Sequence, residues 1–493
     1  MSGKISAFMF RLTAVLLLLC IIFASVSCGA ENDAENAGSA ESAISVEAAA
    51  AETTAAETTT EDYLAKFDDV DISGRTFRII AQDTRTRYNF YHEDTAADII
   101  NDSINDRDNK VREKLGVEFE FIAYEDRGIL ATVAQKTILA GDDAYDMIIT
   151  SLSAGINSLA SAGVLFDLRQ IPALTLDSEL WNPSMYKNME LNGKQLVTTG
   201  NVSAQYLVTP IVVLFNKRLA EDFGIEDLYQ TVNEGKWTID RMKGLFADLG
   251  QDLDGNGKMD KNDFYGLSVD ATFGNALYAA AGLNTIAKEG DNYYLSIDSK
   301  ESVDLIERCA GLFGDRSVVY NDRYGEGVSA EIFRKGNALF LDHTLLGTIE
   351  LRDMEDDFGI IPVPKSDESI DKYYAACNTW LPSGISVPKT CTDVEFVGTV
   401  METMAYYSKE YMMPACYEVT LKGKVSRDEV FAVMLDLIYE NTSYDFITIF
   451  NFSESAILLR EAMLGETPNF VSKYEKIKDK VQSQLNNLVA IAG

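Results

Sequence analysis

The fold is decided by three short apolar runs in the first third of the chain: TFRIIA (76–81), VEFEFI (117–122) and DMIIT (146–150). Each run is rich in β-branched and aromatic residues and has the length of a strand. The two segments between them, 96–115 and 128–140, carry apolar residues at helical spacing and are followed by Gly116 and Gly141, which are typical helix ends. The order of elements is therefore β-α-β-α-β.

This alternation predicts an α/β fold in which mostly parallel sheets are flanked by helices. It resumes further along the chain, with strands expected at 212–216, 337–341 and 358–361 and helices at 217–223, 238–249 and 302–313. Residues from 393 onward read as mostly helical. Ligands of parallel sheets bind outside the carboxyl ends of the strands. The loops 82–87 and 151–155 are thus expected to border a ligand site.

Three long segments, 145–172, 181–240 and 336–365, resemble extracellular solute-binding proteins that deliver ligands to ABC importers. They include NGKQLVTTGN, VVLFNKRLAEDFGIEDLYQTVNEGKWTID and GNALFLDHTLLGTIELRDMEDDFGIIPVPK, and the resemblance is to the carbohydrate-binding family 1 group. The resemblance implies two α/β lobes joined by crossing hinge strands near 206–214 and 358–364. Lobe one would comprise 74–207 plus 362–425, and lobe two 211–357 plus 426–493.

The N-terminal residues predict export and anchoring. Lys4 and Arg11 precede an apolar run at 12–23, and small residues then lead to Cys28. Residues 1–27 therefore resemble a lipoprotein signal peptide with Cys28 as the lipidated residue, and an uncleaved membrane anchor is the alternative. Residues 28–61 are mostly Ala, Glu, Thr, Ser and Asn, a composition typical of a disordered tether. We expect the protein on the extracellular face of the bacterial cytoplasmic membrane.

Composition sets further limits on the function. The formal net charge of -34 over 493 residues argues against nucleic acid as a partner, since phosphate binding needs a basic surface. The remaining expected partners are a small molecule and an importer permease, and the protein is expected to be a monomer. Four cysteines of the body could form one or two disulfides or remain thiols: Cys309, Cys377, Cys391 and Cys416.

Residues 252–263, DLDGNGKMDKND, have the spacing of a calcium loop. Gly257 stands at the sharp turn, and the main-chain carbonyl of Lys258 offers one oxygen. The expected side-chain ligands are Asp252, Asp254, Asn256, Asp260 and Asp263. The last position is Asp rather than the usual Glu, which shortens its reach. We expect a structural Ca²⁺ site in lobe two, and an acidic surface turn without metal is the alternative.

A sugar site should combine aromatic faces for C–H stacking with polar side chains for hydroxyl groups. Candidates for such a site come from the ends of the expected strands, from the hinge and from the start of helices. They are Asp83, Arg85, Ser151, Ser153, Tyr206, Trp237, Tyr265, Asp342, His343, Asn378 and Trp380. Each of the tryptophans is open to a second interpretation as a core residue, and Asp83 and Arg85 could simply pair with each other.

Motifs for catalysis are scarce. The chain has only two histidines, His92 and His343, and no HExxH, G-x-S-x-G, P-loop or Rossmann motif. We therefore predict a non-catalytic protein that captures a carbohydrate between two lobes. The alternatives are an extracellular polysaccharide-acting enzyme and a surface adhesion or sensory module, and peptides or polyamines remain open as ligands.

Overall fold

In the part of the chain that the structure describes, the fold contains two larger β-sheets, of four and five strands, and two small sheets of two strands each. The computed structural model describes residues 63–82, 98–421 and 429–493. The predicted signal peptide, Cys28, the tether, Asp83 and Arg85 lie outside these residues. Residues Thr60–Gly493 form one compact unit.

Thirteen strands are present in the described residues: β1 Thr76–Gln82, β2 Glu118–Tyr124, β3 Met147–Ser151, β4 Ile211–Asn216, β5 Tyr265–Asp270, β6 Ile286–Glu289, β7 Asn292–Leu295, β8 Val319–Asp322, β9 Ala338–Thr344, β10 Phe358–Pro362, β11 Ala375–Ala376, β12 Pro382–Ser386 and β13 Thr442–Ser443.

The α-helices of the same residues are α1 Ile99–Leu115, α2 Arg127–Leu139, α3 Asn157–Ser161, α4 Pro183–Asn188, α5 Ala204–Val208, α6 Lys217–Asp222, α7 Leu228–Asn233, α8 Ile239–Phe246, α9 Phe273–Ala280, α10 Lys300–Phe313, α11 Val328–Arg334, α12 Val394–Leu421, α13 Glu429–Glu440, α14 Phe446–Phe450, α15 Ser455–Met463, α16 Phe470–Glu475 and α17 Lys478–Ala492. None of the described helices combines the length and the apolarity needed to cross a lipid bilayer.

The first sheet has the order β12-β3-β1-β2 and confirms the β-α-β-α-β prediction. Strands β1, β2 and β3 run parallel, and β12 pairs antiparallel with β3. Helix α1 starts where the Asp98 carboxylate accepts hydrogen bonds from the backbone N–H groups of Ile100 and Asn101. It ends at Gly116, whose φ of 66° is the left-handed conformation that closes a helix.

The second sheet has the order β10-β4-β9-β5-β8. Strand β4 pairs antiparallel with both β10 and β9, while β5 runs parallel to β9 and β8. The strands expected at 212–216, 337–341 and 358–361 are therefore found, and β5 and β8 are additions that the sequence pattern did not indicate. After β10 the chain returns to the first sheet as β12, so strands on either side of residue 370 lie in different sheets.

The C-terminal helices connect the two sheets. Helix α12 packs along α1, and α13 packs against β10. The short helix α14 contacts the π-helical turn that follows β3, and the side-chain amide of Asn157 donates to the Phe450 carbonyl at 2.9 Å. One apolar cluster consequently includes buried residues of both sheets, such as Ile148 and Leu267. The two larger sheets are thus separate, while the C-terminal helices join their cores.

Glu402 of α12 is the most connected buried charge on the first-sheet side. Its carboxylate accepts hydrogen bonds from the hydroxyl of Tyr63 at 2.5 Å, from the indole N–H of Trp181 at 2.8 Å and from the Thr175 hydroxyl and backbone N–H. The ammonium of Lys66 lies 3.5 Å away. A single buried carboxylate therefore fastens the segment 63–66, the loop around residue 175 and helix α12 together.

The four described cysteines are buried and form no disulfide among the described residues, so the interpretation as thiols is the one that this structure supports.

Candidate functional site

A large cavity lies between the first-sheet side and the second-sheet side of the fold and has a volume of about 490 Å³. This is within the usual range of roughly 300–1,000 Å³ for small-molecule sites. One wall comes from residues 179–207 and α12, and the opposite wall from residues 279–284. The lining combines aromatic rings with amide and hydroxyl groups: Trp181, Tyr206, Tyr374, Tyr439, Asn182, Asn188, Asn201, Asn284, Asn441, Ser184, Thr442 and Ser443.

Asn182 organises the first-sheet wall of this cavity. Its side-chain oxygen accepts a hydrogen bond from the Met185 N–H at 3.0 Å and so caps α4. Its amide group donates to the hydroxyl of Tyr206 and to the Thr442 carbonyl, both at 3.3 Å. Burial raises the pKa of Tyr206 to about 12, so this hydroxyl stays protonated and can still donate to a ligand.

Tyr374 contributes an aromatic face on the other side. Its ring lies against Gly282, where an added Cβ would be 3.2 Å from a ring carbon. Gly282 also has a φ of 69°, which a residue with a side chain rarely adopts. The ammonium of Lys372 sits 4.9 Å from the ring centroid. The glycine therefore allows a close approach of the ring to the cavity wall.

Asp445 stands where this large cavity meets a smaller one, and it lines both. Its carboxylate accepts hydrogen bonds from the Thr285 hydroxyl, from the Thr285 N–H at 3.2 Å and from the Ile447 N–H at 3.0 Å. Burial raises the pKa of Asp445 to about 6 in spite of these donors. The group connects the second-sheet side to the start of α14.

The smaller cavity has a volume of about 30 Å³ and lies beside Trp380. The side-chain oxygen of Asn378 accepts a hydrogen bond from the backbone N–H of Trp380 at 3.0 Å. This bond fixes the turn that carries the indole. The guanidinium of Arg127 stacks over the indole at 5.2 Å. Thr272, Asn275 and Arg460 line the cavity from the second-sheet side.

The structure brings some of the residues predicted as ligand contacts to these cavities. Tyr206 lines the large cavity, and Asn378 and Trp380 line the small one. Ser151 and Ser153 lie directly behind the small cavity, where the Ser151 hydroxyl donates to the Thr379 carbonyl at 3.3 Å and the Ser153 N–H donates to it at 3.1 Å. These two serines support the turn rather than face the cavity.

Trp237 and Tyr265 line neither cavity. Trp237 is wholly buried, donates its indole N–H to the Pro362 carbonyl at 2.8 Å and packs on Phe340, which makes it a core residue. Tyr265 is buried in β5 and donates its hydroxyl to the Asp260 carbonyl at 2.9 Å.

Asp342 and His343 also line neither cavity. Asp342 is buried and accepts the Asp270 N–H at 2.6 Å; burial and the neighbouring Asp270 raise its pKa well above the usual value. The imidazole of His343 lies against Gly347, and burial lowers its pKa.

Trp181, Asn182, Tyr374 and Asp445 were not among the predicted contacts. A signal for Asn182 was present, because Asn before Pro183 is a typical helix start. No local signal marked Tyr374 or Asp445, since both reach the cavity only through the pairing of β11 with β13.

The segment 252–263 folds as a tight loop around its carboxylates. Carboxylate oxygens of Asp252, Asp254 and Asp263 lie within 4.8 Å of one another. Asp252 accepts the N–H groups of Gly255 and Gly257, and these backbone bonds lower its pKa. Asp263 is fully buried and accepts the Leu253 and Asp260 N–H groups at 2.9 and 2.7 Å. The residues present fit an oxygen-only cation site.

Comparison with known proteins identifies the fold. No family model and no curated protein matches the sequence. Among solved structures, the galacto-N-biose/lacto-N-biose I-binding protein of an ABC transporter from Bifidobacterium longum matches with a TM-score of 0.54 at 12% identity, over 84% of this chain and 97% of that one.

Two further structures agree with it. The cyclic α-maltosyl-1,6-maltose binding protein from Arthrobacter globiformis has a TM-score of 0.52 at 13% identity, over 84% of this chain and 99% of that one. The maltose/maltodextrin-binding domain from Bdellovibrio bacteriovorus, bound to maltotriose, has a TM-score of 0.50 at 11% identity, over 83% and 100%. The chain has the two-lobed α/β fold of ABC substrate-binding proteins, and the resemblance seen in the sequence is confirmed at the level of the fold.

Proposed function

We propose that this protein captures a carbohydrate between its two lobes and delivers it to an ABC importer, without catalysis. The observation that carries the proposal is the cavity of about 490 Å³, whose aromatic and amide-rich walls come from both sides of the fold. Sugar rings stack on aromatic faces, and their hydroxyl groups exchange hydrogen bonds with amides and hydroxyls. Neighbours with this fold are described as binding saccharides, which supports the same ligand class.

The position of the cavity supports a role in transport. A ligand shifts an equilibrium between open and closed forms only if it contacts both moving parts. Asn182 and Tyr206 come from the first-sheet side, whereas Asn284 comes from the second-sheet side. A saccharide that bridges them would stabilise the closed form, and we propose that the permease recognises that form. Cys28 would anchor the protein to the outer face of the membrane through lipid.

The proposal is tested by thermal unfolding and small-angle scattering of the full chain, purified in detergent, with a panel of neutral and acidic saccharides from one to four units. A true ligand should raise the unfolding midpoint and reduce the radius of gyration. Tyr374→Ala should weaken binding by roughly fivefold or more through loss of a stacking face. The matched control is Tyr324→Ala, a tyrosine that is 79% exposed and lines neither cavity. If no saccharide in the panel changes either quantity, carbohydrate capture is wrong.

We also propose that the loop 252–263 binds a structural Ca²⁺. Three carboxylates already converge there, and the buried Asp263 ties both ends of the loop together. Calorimetry with calcium alone should show one site that Asp252→Ala and Asp254→Ala abolish. The control is Asp248→Ala, because Asp248 precedes the loop and is not part of the converging cluster. Unchanged calcium binding in both loop variants would contradict the assignment.

A further inference from the structure

Arg460 of α15 is a partly buried cation without a counterion. Arg460 lines the small cavity, its Nε has no hydrogen-bond partner, and it makes no ion pair with a carboxylate in the described part of the chain. Four other arginines of the fold do have such partners: Arg78 with Asp146, Arg218 with Asp356, Arg316 with Glu466 and Arg323 with Glu461. Arg127 and Arg169, like Arg460, form no ion pair among the described residues, but their guanidinium groups stack on Trp380 and Tyr186. The chain has 77 acidic residues against 43 basic ones, so carboxylates are not scarce.

This arrangement is costly for the protein alone. Removing a charge from water is unfavourable unless a partner compensates for the lost hydration. Burial lowers the pKa of Arg460 in spite of the opposing effects of the Asp270 and Glu461 carboxylates. Asp270 is the carboxylate with the largest effect on Arg460, but it acts from beyond ion-pair distance and accepts the Thr272 N–H at 2.8 Å. The missing counterion can come from a ligand.

The cavity has room for one small anionic group. A volume of about 30 Å³ holds roughly two water molecules, which is close to the size of a carboxylate. Asn275 lies on the same wall, and its side-chain oxygen, which has no hydrogen-bond partner among the described residues, would accept a hydrogen bond from a hydroxyl group of the ligand. Trp380 supplies an aromatic face next to this space, so a sugar ring that carries the anionic group would have a surface to stack on.

The large cavity is also lined by cations that form no ion pair with a carboxylate among the described residues. The two cavities share Ala279, Ser443 and Asp445, so one oligosaccharide can occupy both. Lys187 and Lys372 line the large cavity and make no ion pair with a carboxylate among the described residues, whereas Lys409 pairs with Glu179. Arg460 in the small cavity and Lys187 and Lys372 in the large one are therefore cations that form no ion pair among the described residues, although the carboxylates of Glu440 and Asp445 also line the large cavity.

We infer that the ligand is an acidic saccharide whose carboxylate enters the small cavity and pairs with Arg460, while its sugar ring lies against Trp380 and further units extend toward Lys187 and Lys372. A guanidinium binds a carboxylate through two parallel hydrogen bonds, which gives orientation as well as affinity. The contact would also join α15 to the turn at residues 378–380 and so favour closure. This inference rests on the proposed function and names its substrate class.

The experiment uses calorimetry of the full chain with matched ligands. The acidic probes are oligomers of two to four galacturonate, glucuronate, mannuronate or guluronate units. Each has a neutral counterpart in its methyl ester, and a neutral panel contains maltose, cellobiose and galactobiose. A tripeptide with a free C-terminus and its amide test the other source of a carboxylate. At least one uronate should bind about tenfold or more tightly than its ester, and its affinity should fall with added salt.

Two variants locate the contact. Arg460→Gln should remove the preference for the acid over the ester, and Arg460→Lys should retain part of it through the charge alone. Arg334→Gln is the control, because it loses the same charge on the exposed surface of α11, away from both cavities. The unfolding midpoint of each variant is measured first. If Arg460→Gln does not fold, the inference is tested by Arg460→Lys and by the comparison of acid with ester in the wild type.

The outcomes separate the two proposals. Preference for a uronate that depends on Arg460 supports both. Equal binding of acid and ester, or tight binding of a neutral saccharide alone, overturns the acidic ligand and leaves carbohydrate capture standing. A preference for the acid that Arg460→Gln leaves unchanged overturns the role of Arg460. Binding of the tripeptide without binding of any saccharide overturns both proposals.

Discussion

Replacement of the buried Glu402 by Gln should cost a large part of the stability of the first-sheet side. The carboxylate is surrounded only by donors, from Tyr63, Thr175 and Trp181, and by the Lys66 ammonium. Glutamine keeps the shape, but its amide group would point another donor at these donors. At least one buried donor then loses its acceptor, and the others lose the charge.

The magnitude follows from the number of bonds lost. A hydrogen bond to a charged group contributes about 1.5–3 kcal/mol, and a broken buried ionic contact costs about 3–5 kcal/mol. The Lys66 side chain is partly exposed, so its share is small. We therefore expect Glu402→Gln to reduce the free energy of unfolding by roughly 3–5 kcal/mol.

The assay is equilibrium unfolding in urea, followed by tryptophan fluorescence, because the Trp181 indole donates directly to this carboxylate. The matched control is Glu395→Gln in the same helix, where the side chain is exposed and only its interaction with the helix dipole is lost, about 0.3–1 kcal/mol. If Glu402→Gln unfolds within about 1 kcal/mol of the wild type, the network does not fasten these segments and the reasoning fails.

Three further predictions concern single sites. The folded-state pKa of Asp445, about 6, exceeds the unfolded value. Its contribution to stability is therefore full below about pH 4 and is lost as the pH rises through 6. Asp445→Asn should remove that part of the pH dependence of the unfolding free energy in urea titrations. Gly250→Ala should destabilise the fold by about 2 kcal/mol or more, since its Cβ would lie 1.9 Å from the Ser317 carbonyl oxygen, whereas Gly244→Ala in α8 meets no atom and should stabilise by about 0.5–1 kcal/mol; thermal unfolding compares them. Trp380→Ala should change stability little, because the indole is partly exposed, but should weaken saccharide binding by roughly fivefold or more in calorimetry; equal affinity would exclude the indole as a stacking face.

Part of the fold could be predicted because its information is local. Strands β1, β2 and β3 coincide with short apolar runs of the sequence, and α1 ends at Gly116, as the sequence predicts. Strand β8 was not predicted, because its four residues, two buried and two half-buried, carry no clear period. The cores are joined through α14, a helix of five residues whose contacts with both sides depend on the folded arrangement alone.

The site was less predictable than the strands, because its contacts join residues that are far apart in the sequence. Trp237 has the chemistry of a sugar platform, but the Pro362 carbonyl and Phe340, far away in sequence, enclose it. Asp342 was expected at the end of a strand but lies within β9, and the Asp270 N–H occupies its carboxylate. Trp380 has a similar chemistry and lines a cavity because the Asn378 turn holds it there. Residue type and strand position suggested candidates, and packing selected among them.

The four buried thiols have a practical consequence for measuring lobe motion. Burial raises the pKa of Cys309, Cys377 and Cys416 to about 12 and that of Cys391 to about 11, so very little reactive thiolate forms near neutral pH. A cysteine introduced on each exposed face should therefore take a maleimide dye much faster than these native residues. Fluorescence resonance energy transfer between two such dyes could follow domain closure in real time while every native side chain of the body interior stays in place.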